Sequence, residues 1–150
     1  DAIKHYYDQI PGKNMIHYVP NAGHDLGGGA QALEALSAFF GTTLDNKTYP
    51  TPTWKISSSK KSANLSVKTE SADLVDAILW TTTSTDRDFR NDKWTSKSLS
   101  VSNTSNIKLK ETYSSTGYKA FYVDLKYKNP NGGTYTVSTR VFVTDQKKVL

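Results

Sequence analysis

At 150 residues, 36% of them apolar, the chain is long enough for one good core, or for a partial domain followed by a small complete one. It contains no cysteine, which excludes a disulfide framework, a thiolate nucleophile and a cysteine-ligated zinc. The formal charge of +5 is scattered: Lys108 with Lys110 and Lys126 with Lys128 alternate with apolar neighbours, as on a solvated strand face, and no nucleic-acid module accompanies them.

Residues Ala2 to Ile10 place Ile3, Tyr6, Tyr7 and Ile10 on one helical face, with Asp1 as N-cap and Pro11-Gly12 as the stop. Met15 to Val19 is a short strand, and Pro20-Asn21-Ala22-Gly23 a loop. Gly27 to Gly29 leads into a helix from Ala30 to Phe40, with Leu33, Leu36, Phe39 and Phe40 as its apolar stripe and Gly41 as its C-cap. Asp45 to Pro52 is a linker by composition. From Thr53 the period changes to two, predicting strands near Thr53–Ser58, Ala63–Lys68, Ala77–Thr83, Trp94–Val101, Ile107–Tyr113, Lys119–Tyr127 and Thr134–Thr144. Asn129 to Gly133 joins the last two as a hairpin. Short strands at this spacing predict an immunoglobulin-like or fibronectin type III-like sandwich, with Trp54, Trp80 and Trp94 as its large core residues. The expected fold is therefore an α/β fragment over residues 1–49 followed by an all-β sandwich over 50–150. One strand and two helices cannot close a core, so the first part needs sequence from elsewhere, the sandwich, or another copy to complete it.

No apolar run is long enough to span a membrane and no signal sequence is present; a chain opening on Asp1 rather than Met is compatible with an upstream signal that has been removed. Sequons at Asn46, Asn64 and Asn103 are expected by chance in so Asn-, Ser- and Thr-rich a chain.

The segment Tyr18-Val19-Pro20-Asn21-Ala22-Gly23-His24 carries the most chemistry. A strand, a loop bearing Gly-His and then a helix is how an α/β-hydrolase presents the general base of its triad, yet no G-x-S-x-G elbow occurs in the chain. Tyr6-Tyr7-Asp8-Gln9-Ile10-Pro11-Gly12, the Pro-Asn-Ala-Gly-His block, the Ala-Leu-x-Ala-Leu-x-x-Phe-Phe helix, Ala77-Ile78-Leu79-Trp80, Asp88-Phe89-Arg90 and Trp94 together resemble the PhoPQ-activated pathogenicity-related proteins. Members are secreted or envelope-associated bacterial proteins with an α/β-hydrolase-like domain, and include secreted amoebal autocrine repressors of proliferation. The resemblance implies that Asp1 to Gly41 is the end of the hydrolase-like domain, with a Ser elbow and acid upstream and His24 as the base. It implies a secreted or envelope location and a C-terminal β-domain. The parent would be a serine hydrolase of esters, amides or peptides that needs no metal or organic cofactor, and this chain alone would be inactive. The alternative is a secreted signalling or virulence protein that keeps the hydrolase fold as scaffold, with His24 a solvated loop residue. Its β-domain would then engage a cell-surface receptor, glycan or protein.

Other candidates have plainer readings. Asp25 reads as a solvated loop residue, because a sequence neighbour rarely folds its carboxylate back onto the ring. His5, His17 and His24 lack a shared metal-ligand spacing. Asp86-Arg87-Asp88-Phe89-Arg90-Asn91-Asp92 reads as a salt-bridged loop pinned by Phe89 and Trp94 rather than a calcium loop. Gly27-Gly28-Gly29 lacks the Lys-Ser/Thr of a phosphate cradle and reads as a helix entry. Tyr113, Tyr118, Tyr122 and Tyr135 offer a possible carbohydrate- or protein-binding face, although strand composition alone also supplies them.

Overall fold

The structure is a computed structural model describing residues 2–12, 14–70, 72–102 and 104–150. Asp1 and the sequon at Asn103 lie outside the described residues.

The alternating second half folds as two antiparallel sheets. Its strands are β1 (Thr53–Ser58), β2 (Ser62–Lys68), β3 (Leu74–Ser84), β4 (Thr95–Ser98), β5 (Asn106–Thr112), β6 (Tyr118–Lys128), β7 (Thr134–Ser138) and β8 (Phe142–Thr144). One sheet has the order β1-β2-β5; the other runs β4-β3-β6-β7, with β8 also on β6. The arrangement is a β-sandwich, as the period-two pattern predicted. Leu65 and Val67 of β2, with Ile107 of β5, meet Phe121, Val123 and Leu125 of β6 in one buried cluster. On the far side of the smaller sheet, Asn64 stands opposite Lys110 and Ser66 opposite Lys108, so the lysines there do line a solvated face.

The strand read as Thr134–Thr144 is interrupted. β7 and β8 pair with the same edge of β6, but Asp124 stands opposite Ser138 whereas Phe121 stands opposite Phe142, one residue out of step. The extra residue makes a bulge just past Thr139, which itself stays paired with Val123. The Thr139 amide donates to the Val123 carbonyl at 2.8 Å, and its hydroxyl accepts from the Val123 amide at 3.1 Å.

The tryptophans are not the large buried residues. Tyr122, Tyr127, Phe121 and Phe142 hold that place, while all three tryptophans are half-buried. Trp54 packs against the core from β1. Trp80 pairs with Tyr122 across β3 and β6, on the face of the larger sheet turned away from the sandwich interior. Strand parity puts alternate residues on opposite faces but does not say which face the tryptophan takes.

The first fifty residues cover that outer face and the β7 edge. The helix expected over Ala2–Ile10 is two short 3-10 turns, Ala2–His5 and Tyr7–Gln9, because a run of this length ending at Pro11 is too short to hold an α-helix by itself. Met15–Val19 is not a strand: among the described residues it makes one bridge, Ile16 to Ser138. The helix α1 (Ala30–Leu44) continues past Gly41, which is helical and not a C-cap; Asn46, at φ 54°, takes the left-handed position beyond the end. Gly41 instead sits beneath the β6–β7 hairpin, where a Cβ would stand 2.2 Å from the Asn131 amide nitrogen. From the linker, Tyr49 enters the core beside Tyr135, with ring centroids 5.4 Å apart.

Candidate functional site

His24 lies where the sequence places it, in the loop between the extended segment and α1, and it is exposed. Asp25 does not orient it: its carboxylate accepts from the Gly27 amide at 3.3 Å and caps the 3-10 turn Leu26–Gly28. Leu26, at φ 51°, and Gly27, Gly28 and Gly29 all have positive φ, so the entry into α1 needs a left-handed run in which three of the four residues are glycines, which adopt it without strain. His17, one turn of chain earlier, is different. Both its ring nitrogens are buried without a partner among the described residues, and burial lowers its pKa against a weaker opposing pull from Glu34. It is a packed imidazole whose burial disfavours the charged form.

The structure joins two loops that the sequence presents some seventy positions apart. Tyr18 to Gly23 forms one wall of a cleft, Phe89 to Trp94 the other, and Tyr122 of β6 contributes from below. Its volume is about 540 Å³. A single side chain locks the walls: the Asn21 amide donates to the Trp94 carbonyl at 3.0 Å, and its oxygen accepts from the Trp94 amide at 2.8 Å. Asn21 thereby imitates a strand partner, and its φ of 58° suits a residue tolerant of the left-handed region.

Beyond the second wall the loop is held by its own carboxylates. Asp86 accepts from the Asp88 amide and the Ser84 hydroxyl, both at 3.0 Å, and these bonds lower its pKa. Asp88 grips the exposed Arg90 guanidinium, which holds its carboxyl down at about 2. These aspartates therefore spend their oxygens within the loop, and no cluster of three potential metal ligands occurs among the described residues.

Tyr122 is the residue that the sequence misassigned. Of the four tyrosines read as a surface face, Tyr122 and Tyr135 are buried, and Tyr113 donates its hydroxyl to the Ser59 carbonyl. Tyr122 is only 2% exposed and sits among Tyr18, Trp94 and Trp80, with ring centroids at 5.0, 5.2 and 6.4 Å. Its hydroxyl has no partner among the described residues, and neither has Oδ2 of Asp92 on the second wall. Burial raises the Tyr122 pKa, with Asp124 adding to the effect.

Asp124 anchors the floor. It accepts from Trp80 Nε1 at 2.8 Å and from the Ser138 hydroxyl at 2.5 Å. Ser138 in turn accepts from the Tyr18 amide at 3.2 Å and donates its own amide to the Ile16 carbonyl at 2.7 Å. The N-terminal segment is thus tied to the sheet through one buried carboxylate. Desolvation pushes its pKa up to about 6 despite both hydrogen bonds.

No helix among the described residues is long and apolar enough to cross a membrane. No curated protein matches the chain. The sequence model for the PhoPQ-activated pathogenicity-related protein family matches residues 1–90, from the first 3-10 turn through β3 and into the Asp86–Asp92 loop. The chain, matched over well more than half its length, belongs to that family.

Proposed function

We propose that residues 1–49 of this family member are the closing part of an α/β-hydrolase-like domain in a longer, secreted or envelope-associated protein, with His24 as its general base. Residues 50–150 form the attached domain, and the strand orders β1-β2-β5 and β4-β3-β6-β7 support a fibronectin type III-like arrangement. The observation that carries this reading is the orientation of α1. Small Ala35, Ala38 and Thr42 are buried against the sandwich side, whereas Leu33 and Phe40 are 67% and 59% exposed. A helix with its large apolar residues in solvent has a second neighbour to meet, and a hydrolase sheet is such a neighbour. His24 is exposed in the loop before that helix.

In that setting His24 would take a proton from an upstream serine hydroxyl as it attacks an ester, amide or peptide carbonyl, then return it to the leaving group. The chain by itself has a base and no nucleophile beside it, so it is inactive alone. The test is fluorophosphonate labelling of the native full-length protein beside His24→Ala. Labelling lost in the variant supports the triad; an unlabelled, well-folded parent removes it.

A second reading, a signalling or interaction protein with the hydrolase-like part as scaffold, is favoured by a different observation. The cleft between the two loops leaves buried polar atoms without partners, and those atoms suit binding rather than acyl transfer.

A further inference from the structure

We infer that the cleft between Tyr18–Gly23 and Phe89–Trp94 is a carbohydrate site that takes one pyranose unit of a neutral glycan. The inference rests on the second reading above and names its ligand class; it does not depend on the role of His24.

Size comes first. A volume of about 540 Å³ lies within the usual range of small-ligand sites, roughly 300–1,000 Å³. Ordered water fills a space of about 30 Å³ per molecule, so one or two waters do not account for a cleft of this size.

The unmet hydrogen-bonding needs are specific. The Tyr122 hydroxyl and Asp92 Oδ2 are both buried and unpartnered among the described residues. Leaving each so costs roughly 1–3 kcal/mol, which a structure rarely bears without a reason. A carboxylate oxygen can only accept, whereas a phenol both donates and accepts. The complementary ligand therefore offers hydroxyl groups, one donating to Asp92 and one exchanging a bond with Tyr122, once the side chains that close these two atoms from solvent turn aside.

The remaining surface is aromatic. Tyr18, Phe89, Trp94 and Tyr122 all line the cleft, and the first, third and fourth already form an edge-to-face cluster. Rings of this kind present flat apolar faces, against which the C–H face of a pyranose packs while its hydroxyls point to the polar wall. Hydroxyls on one side and C–H groups on the other are the chemistry of a sugar ring.

Charge decides against the alternatives. An aromatic pocket with a carboxylate also suits a quaternary ammonium, but Lys93 lines the same wall and offsets the charge of Asp92, while Arg90 is paired with Asp88. An anion meets the unpaired oxygen of Asp92, and the Arg90 guanidinium is already engaged by Asp88. A neutral polyol meets neither penalty. The spacing of the walls is set before any ligand arrives, because the paired bonds of Asn21 to Trp94 fix it.

The test is an amide and indole NMR titration of the 150-residue chain with cellobiose, maltose and N,N′-diacetylchitobiose, beside sodium phosphate and tetramethylammonium chloride. The expected result is saturable shifts of the Trp94 indole and the Phe89–Trp94 amides with at least one disaccharide. Tyr122→Phe and Asp92→Ala should each weaken that binding about tenfold, the loss of one buried hydrogen bond. Tyr122→Phe should keep or raise the melting temperature, since the hydroxyl it removes has no partner, so weaker binding in that variant is not a folding defect. Cleft shifts with phosphate or tetramethylammonium, and none with the disaccharides, overturn the ligand class while leaving the sandwich a binding module. A cleft silent to all five probes overturns both. Disaccharide binding that neither variant weakens removes the site from this cleft.

Discussion

Replacing Asp124 by asparagine should change the pH dependence of stability in a direction opposite to ordinary acid denaturation. Asp124 is buried on β6, and desolvation raises its pKa from 3.8 to about 6. That shift is about 2 pH units, or about 3 kcal/mol at ~1.36 kcal/mol per unit. Between those two values the folded chain holds a proton that the unfolded chain has released. Stability from this group is therefore full below pH 3.8 and is lost as the pH rises through about 6. Asparagine keeps the geometry: its oxygen accepts from Trp80 Nε1 while its amide donates to the Ser138 oxygen, and no charge is buried. The loop carboxylates Asp86 and Asp88, with depressed pKa values, give a slope of the other sign in both proteins, so the difference between the two isolates Asp124. Urea unfolding from pH 4 to pH 7 should show Asp124→Asn gaining up to about 3 kcal/mol on the wild type across the window. Parallel curves would mean that the carboxylate is ionised and comfortable in the fold, and the desolvation argument would fail.

Gly117, at φ +61°, has the Ser84 carbonyl oxygen 2.3 Å from where a Cβ would stand, so Gly117→Ala should cost about 2 kcal/mol or more in a thermal melt. Gly12→Ala, with φ +83° but open space around it, should cost only about 1 kcal/mol; equal losses would refute the clash. Asn21→Ala removes both bonds to Trp94 and should speed hydrogen exchange at the Trp94 amide while lowering stability by about 1–2 kcal/mol. We expect residues 50–150 to fold alone, though less stably by about 3 kcal/mol or more because Tyr49 leaves the core. Limited proteolysis that destroyed 50–150 before 1–40 would show that division to be wrong.

Most of the strands were legible because their sequences alternate with period two. Thr53–Ser58 matches its predicted bounds, and the inward set Phe121, Val123, Leu125 and Tyr127 can be read from spacing alone. The same alternation could not reveal that the outward set of β6 is also covered. Tyr122 and Asp124 occupy positions that parity assigns to solvent, and what buries them is the segment around Tyr18, more than a hundred residues away. That is why a surface tyrosine became the floor of a cleft. For His24 the pattern supplied a loop, a neighbouring helix and a chemical type. The cleft walls carried no such signal. Asn21 looked like loop punctuation and Trp94 like a strand residue, and only their mutual pairing makes them one structure.

Helix α1 shows where sequence period and packing part company, and why. Its stripe of Leu33, Leu36, Phe39 and Phe40 is the face that amphipathicity assigns to the core, yet Ala35, Ala38 and Thr42 are the residues buried. Close approach to β7 favours small side chains: Gly41 passes under Asn131, and Phe39 reaches the core through Tyr49 and Tyr135 rather than directly. The small face is thus shaped for the sandwich, and on our proposal the large one meets the hydrolase-like sheet. On that reading α1 is a joint between two neighbours rather than an outer layer. A joint is also the place from which the exposed His24 loop could face a second sheet while Asn21, three residues before it, stays fixed to the sandwich. On our proposal, a partner seated on the large face would therefore meet a base whose loop is already anchored, and would not have to order that loop itself.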